Sequence, residues 1–446
     1  MIELLVISLL VLCGFTYKIF DKDISSPSFL FTIGFSLCSI GAYTYRKEWG
    51  LGLGFQTYIL IIGGASLFIL TEFLYKKTHK PFHKNIDVTK DPVIPIKDYK
   101  LVIFLLFQII AYYLLAKYKF SQSIGAESVG ESIGDINQRS KMEHENFFVP
   151  WYIQYPYQMC RDTGYIWICL FSYYLYKSKR FLLKKWLLGL NLAICVIGGG
   201  YVSGGRMPFL GYLIPLILFI YLFSRYKQKW KKQVFQIRFF IIMLLVAVLF
   251  VTSFVKIGYL MGRKESENTN SYVLAVYCGA QIKNLDDFLN SSIRKETELF
   301  GGQTFKHAYK DIYKNSAKKS FEQGFSELFN TYRGYPLGNV YTCYYPYYYD
   351  FNMFGLLCVV LMSFLLSFLN RKIHDSNFFR TGELNLSVLL YASFISSTFL
   401  SFFSEAFFSK IGLIALFKSL VFWLFCKIYL QGFKKTKISI GNKRVL

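Results

Sequence analysis

Apolar residues in this chain fall in runs long enough to cross a bilayer, separated by shorter polar or basic connections. A hydrocarbon core about 30 Å thick needs roughly 20 apolar residues per helix. By that measure the pattern predicts spans at 2–18, 27–44, 53–75, 99–117, 157–176, 184–201, 207–224, 238–260, 351–370, 384–404 and 408–430. The first run has neither a basic leader nor a small-residue cleavage site, so it reads as a retained helix. Two connections are long: 118–156 and 261–350. The larger is expected to hold helices of its own, with apolar spacing suited to one over Tyr272 to Leu289 and another over Ser316 to Phe329. The expected fold class is therefore all-α and polytopic, about 11 transmembrane helices in a single integral membrane domain over 1–446.

Charge orients these spans. Charged residues make up only 17% of the chain, against about a quarter in a soluble domain. Lys and Arg number 51 and Asp and Glu 27, a net charge of +24. A basic chain invites a nucleic-acid reading, but location decides. Lys177 to Lys185, Arg225 to Arg238 and Arg371 to Arg380 crowd short connections that fall on one side, joined by Lys76 to Lys100 and by the tail Lys434 to Arg444. Short basic loops stay in the cytoplasm. The expected topology has an extracytoplasmic N-terminus and a cytoplasmic C-terminus, and most of the basic excess records orientation, with no nucleic-acid partner.

No Walker loop, GxGxxG after a strand, HExxH or CxxC occurs. His79 and His83 have ligand spacing, but Pro81 between them disfavours a helix. Cys278 and Cys343 share the large outer loop, where pairing stays open. No cofactor and no metal are expected. Matching halves of the kind found in inverted-repeat transporters are not evident.

An ionisable side chain in a membrane segment costs ~2.5–3.5 kcal/mol on insertion scales and so needs a reason. Arg161-Asp162, Arg206, Arg333, Asp350 and Glu405 all fall at outer helix ends or in outer loops under this topology. Guanidinium offers a planar fork of donors that binds phosphate oxygens bidentately and stays charged. The turn Gly204-Gly205-Arg206 adds backbone N–H groups at a helix start, where the dipole favours an anion. Each arginine also has a plainer reading: Arg161 as the partner of Asp162, Arg206 snorkelling to headgroups, Arg333 as a solvated charge. Six of the nine residues from Tyr341 to Tyr349 are tyrosine. Such rings suit sugar faces, or equally an aromatic belt at the interface. Arg333, Asn339 and Asp350 beside them favour a sugar-phosphate site, with Tyr341, Tyr345 and Tyr348 as contacts.

The eleven-span basic pattern, the outer Gly-Gly-Arg turn, the large outer loop and the string Gly338-Asn339-Val340-Tyr341-Thr342 with Pro346, Tyr348, Asp350-Phe351 and Gly355 resemble the Wzy family of oligosaccharide repeat-unit polymerases for O-antigen and capsule. Asn352 stands where that pattern would carry glycine. The resemblance implies a glycosyltransferase of the bacterial plasma membrane, similar in architecture to C-type glycosyltransferases. It would transfer the growing glycan from undecaprenyl pyrophosphate to the next lipid-linked repeat unit, with membrane lipids and a chain-length regulator protein as further partners. On that reading Arg206, with Gly205, and Arg333 hold the pyrophosphate and Arg161 is a third candidate. Asp350, Glu405 or His307 orients or deprotonates the acceptor. An O-antigen ligase-like transferase and a lipid-linked-glycan flippase are the alternatives.

Overall fold

The computed structural model describes residues 1–79, 96–123, 127–142, 148–176, 182–203, 207–228, 230, 270–291, 299–312 and 329–432. They form a helical bundle. Its long elements are α1 (Ile2–Ile19), α2 (Pro27–Thr44), α3 (Phe55–Thr78), α4 (Asp98–Gln122), the shorter α5 (Val129–Met142), α6 (Trp151–Leu175), α7 (Leu182–Ser203) and α8 (Met207–Lys227). After an interval come α9 (Asn270–Cys278), α10 (Ala280–Asn290), α11 (Lys306–Ile312) and a hairpin of β1 (Asn330–Tyr332) and β2 (Tyr335–Gly338). The chain closes with α12 (Tyr344–Phe351), α13 (Leu356–His374), α14 (Phe378–Thr381), α15 (Leu386–Phe399) and α16 (Leu413–Gln431).

Eight helices among the described residues are long and apolar enough to cross a membrane, which makes this a polytopic helical membrane protein. Of the remaining predicted spans, 157–176 is the helix α6, whose Arg161-Asp162 lowers its hydropathy, and 384–404 is the short α15 extended by a 3-10 turn at Leu400–Phe402. The span 238–260 and the helix expected over Ser316 to Phe329 lie outside the described residues, the latter but for Phe329. Position in the bundle follows composition. Burial covers 61% of α2's apolar window but only 17% of that of α16, so α2 is central and α16 presents an apolar face outward.

Two ends are distinguished by their contacts. At one, Asp23 in the α1–α2 turn meets the ends of α3, α8 and α13 through Lys76, Arg225 and His374. At the other, the α2–α3 connection meets α9, α10 and the hairpin. Helices in lipid gain little from burying apolar surface against one another, so small residues and polar pairs hold them. α2 supplies both. Ser28, Thr32, Ser36 and Ser39 are fully buried, and Thr32 and Ser36 donate back to Ser28 O and Thr32 O at 2.8 Å. A Cβ on Gly34 would collide with Phe399 O, and one on Gly41 would lie 2.6 Å from Cys278 O. Between α4 and α7, buried Asn191 donates to Leu101 O at 3.2 Å and Leu187 O at 2.8 Å.

The helix expected over Tyr272 to Leu289 is in fact two. Gly279, at φ −155° and ψ −33°, breaks it where its Cβ would stand 2.5 Å from Ala42 N, so α2 and the break approach backbone to backbone. Most of α10 is enclosed by protein, with even Gln281, Lys283, Asn284 and Asp286 at most 5% exposed. Each of these has a partner. Asp286 Oδ1 accepts from Gly54 N at 2.8 Å and Thr57 Oγ1 at 2.5 Å. Lys283 pairs with Asp287 at 2.6 Å, and Asn284 Nδ2 donates to Leu337 O and Val340 O at 3.3 and 2.9 Å. α10 is thus a polar pin between the α2–α3 connection and the hairpin.

Overpacking of tight contacts costs ~1–3 kcal/mol. Gly41→Leu is therefore expected to lower the melting temperature of the detergent-purified protein by several degrees. Gly52→Ala, where a Cβ meets nothing within 4 Å, should leave it in place. Equal melting of both variants would contradict the close approach at Gly41.

Candidate functional site

The segment after α15 departs from helix because its residues satisfy the backbone another way. At the Glu405 end, α15 tightens into the turn Leu400–Phe402, crosses Phe403–Phe407, makes a second 3-10 turn at Phe408–Ile411 and enters α16. Irregular backbone between membrane helices survives where protein groups satisfy it. Ser401 O accepts from Cys343 N at 2.8 Å, and Ser397 Oγ donates to Ala406 O at 3.0 Å. Lys410 Nζ donates to Ser393 O at 2.5 Å and to Ser396 Oγ at 3.3 Å, a cation toward the C-terminal half of α15 as the helix dipole favours. Glu405 does the converse. Its Oε1 accepts from Phe408 N at 2.5 Å and its Oε2 from Ser409 N at 3.0 Å, capping the second turn. Tyr347 OH approaches Glu405 Oε1 at 3.5 Å. Burial pushes the Glu405 carboxyl up to about 7, against the amide bonds and the Lys306 ammonium that pull it down.

This broken segment forms one wall of a cavity of about 310 Å³ whose other walls are α6, α8 and α15. Arg161, Asp162, Tyr212, Ser396, Ser404 and Lys410 line it. Arg161 Nε meets Asp162 Oδ1 at 3.0 Å while its side chain stays 47% exposed. Asp162 is pinned from the far side by Ser419 Oγ at 2.6 Å, and its carbonyl by Trp423 Nε1 at 2.8 Å. Tyr212 OH donates to Arg161 O at 2.7 Å. The arginine is therefore held at its base and open at its fork. The cavity offers two cations, one of them paired with Asp162, together with hydroxyls and a neighbouring carboxyl raised toward neutrality, an arrangement able to hold an anion beside a proton acceptor.

The remaining sequence candidates are dispersed. Gly205 and Arg206 lie outside the described residues. Arg333 occupies the two-residue hairpin turn with Gly334, at φ +48° and +84°, as such hairpins require. It is exposed, and its guanidinium lies 5.3 Å from the Tyr332 ring, on the side of the bundle covered by α9 and α10. Asn339 is exposed just after β2. Asp350 accepts from Gln303 N at 3.2 Å and Thr304 N at 2.7 Å, tying the 299–305 turn to α12. His307 is exposed on α11. The tyrosines turn inward: Tyr341, Tyr345 and Tyr348 are each 7–8% exposed, with Tyr345 packed between a tilted Tyr341 ring at 4.5 Å and the Phe288 ring, edge to face, at 4.6 Å. Tyr348 bonds Gln56, and Tyr344 OH donates to Ile61 O at 3.3 Å. Their faces are spent on packing. Cys278 and Cys343 are both free thiols.

Two cations escaped the sequence reading. Lys410 stands inside the predicted span 408–430, and a lysine in an apolar run was itself the signal. Lys119 Nζ donates to Val202 O at 2.7 Å, capping α7. Compared with known proteins, the chain matches no family model, no curated protein and no solved structure.

A carboxyl whose folded pKa is raised from 4.5 to about 7 binds its proton more tightly in the folded state. Its contribution to stability is full below about 4.5 and is lost as pH rises through about 7. Glu405→Gln is expected to flatten the fall in melting temperature across that window. An unchanged pH profile in the variant would remove Glu405 as its source.

Proposed function

We propose that this protein polymerises lipid-linked oligosaccharide repeat units in the bacterial plasma membrane, moving the growing glycan from undecaprenyl pyrophosphate to a hydroxyl of the next lipid-linked unit. The observation that carries the reading is the pairing of Arg161 and Lys410 in one cavity at the level of the helix ends, beside a glutamate that titrates near 7. In the proposed step the bond from the anomeric carbon to the pyrophosphate oxygen breaks. A bond from the same carbon to the acceptor oxygen forms, and the acceptor proton passes to Glu405. Negative charge develops on the departing lipid pyrophosphate, where fixed cations stabilise it most. A base with a pKa near the working pH is suited to the proton.

Arg206 and Arg333, read from the sequence as the pyrophosphate holders, pass to the secondary role of guiding the anionic substrate. Asp350, which ties the 299–305 turn to α12, gives way as base to Glu405, whose neighbours Ser404 and Ala406 line the cavity. The topology proposed with this function places the Glu405 end and the N-terminus outside the cytoplasm. The opposite end carries Lys76, Lys77, Lys97, Lys100, Lys184, Lys185, Arg225, Lys227, Arg371 and Lys372, in keeping with the positive-inside rule.

Purified protein incubated with an authentic lipid-pyrophosphate repeat unit is expected to yield a ladder of products without nucleotide. Deletion in cells should leave single repeats attached to their acceptor; loss of all attached glycan would favour a ligase instead. Arg161→Ala and Lys410→Ala should each lower kcat by about 10²–10³-fold, as loss of one charge-stabilising donor does. Glu405→Gln should lower it by about 10²–10⁴-fold, with wild-type activity rising as pH passes about 7. Full activity in all three variants would overturn the assignment of this cavity.

A further inference from the structure

A second cavity, larger than the one at the Glu405 end, serves none of this. It measures about 470 Å³ and lies at the opposite end of the bundle, where α1, α3, α8 and α13 finish. Three buried polar atoms in its lining residues have no hydrogen-bond partner among the described residues: Arg225 Nε, Ser367 Oγ and Asn370 Oδ1. Their residues are only 7%, 2% and 3% exposed. A buried donor or acceptor left unmade is costly, so three around one cavity need a common explanation.

The charges around them narrow the chemistry. Lys76 is committed: its Nζ lies 2.7 Å from buried Glu72 and 4.3 Å from the Phe20 ring. Arg371 has a loose partner in Asp375 at 3.5 Å. Arg225 and Lys77 remain on the cationic side of the lining, with Asp21 and Asp23 as carboxylates and His79 and His374 as titratable rings. Asp23 faces Lys76, Arg225 and His374 at once. A wall with both signs of charge, an unused guanidinium N–H and an unused amide oxygen fits a ligand with both an anion and a hydrogen-bond donor. A fully ionised phosphodiester with nothing attached beyond it would leave the amide oxygen without a donor.

The surroundings indicate the source. Phe73 lines the cavity and is also 41% exposed on the outer face of α3, beside Leu70 and Leu74 at 51% each. An apolar strip on a membrane-spanning helix leads from the cavity along the bundle, as acyl chains attached to a headgroup in the cavity would need. Trp230, in a left-handed conformation at φ +55° and 4.1 Å from the His374 ring, forms part of the lining.

We infer that this cavity binds the headgroup of a phospholipid whose phosphodiester is followed by a hydroxyl or ammonium donor, as in phosphatidylglycerol or phosphatidylethanolamine. Arg225 takes a phosphate oxygen, Asn370 accepts from the donor, Ser367 serves either, and Asp21 and Asp23 complement the donor end. Phosphatidylcholine carries the same phosphate and no donor, so it isolates the claim.

The test uses the full chain in detergent, titrated with short-chain forms of the three lipids and with glycerol phosphate, binding being read by native mass spectrometry and thermal shift. Phosphatidylglycerol or phosphatidylethanolamine is expected to bind about fivefold or more tightly than phosphatidylcholine, the scale of one buried hydrogen bond. Asn370→Leu should erase that preference, and Ser367→Ala should weaken it. If Asn370→Leu fails to fold, Ser367→Ala, which removes one atom, carries the test. Glycerol phosphate binding as tightly as the lipid would support the headgroup chemistry and assign it to a soluble phosphate ester. Equal binding of all three lipids, or a preference that survives both substitutions, would overturn the inference.

Discussion

Backbone touching backbone along α2 is the constraint on which the rest of this structure depends. Gly34 admits the carbonyl of Phe399, and Gly41 with Gly279 lets the α9–α10 break lie against Ala42. Without side chains in those two places, neither the broken segment after α15 nor the buried α10 could reach the centre of the bundle. Both elements carry polar backbone and side chains that lipid would not tolerate. The small-residue stripe therefore does more than tighten helix packing. It sets the depth at which non-helical chain enters the protein, and hence where a polar cavity can exist.

The site inherits this arrangement. Glu405 and Lys410 satisfy the ends of the interrupted helix, one accepting from Phe408 N and Ser409 N, the other donating to Ser393 O. The residues that make the break affordable in a membrane are the same ones proposed to act on substrate. Structural and chemical duties coincide because a helix break supplies what catalysis by electrostatics requires: fixed dipoles and charges in a place with little water. Arg161 follows the same logic, anchored through Asp162 to Ser419 while its fork faces the cavity.

Helices were plain in the sequence because a twenty-residue apolar run has few other physical outcomes, and eight such helices stand among the described residues. What stayed hidden depended on partners distant in sequence. Asp286 looks like an ordinary loop carboxylate until Gly54 and Thr57 are brought to it. The tyrosine run looks like a binding platform until Tyr345 meets Phe288, and composition carries no sign of which way a ring turns. Arg161 and Glu405 were legible as charges in costly places. Lys410 obeyed the same rule and was overlooked only because it stood within a run otherwise apolar enough to be counted as a span.

The pin formed by α10 has a consequence for how the protein comes into being. Asp286 bonds a residue 232 positions earlier, and Cys343 bonds Ser401 on a helix made later still. During synthesis α1, α2 and α3 enter the membrane with their glycine stripe bare, and only the second half of the chain brings the elements that cover it. The cavity at the Glu405 end is thus closed by late arrivals. A chain stopped before Ser393 would hold most of its membrane helices and Arg161, but neither Glu405 nor Lys410.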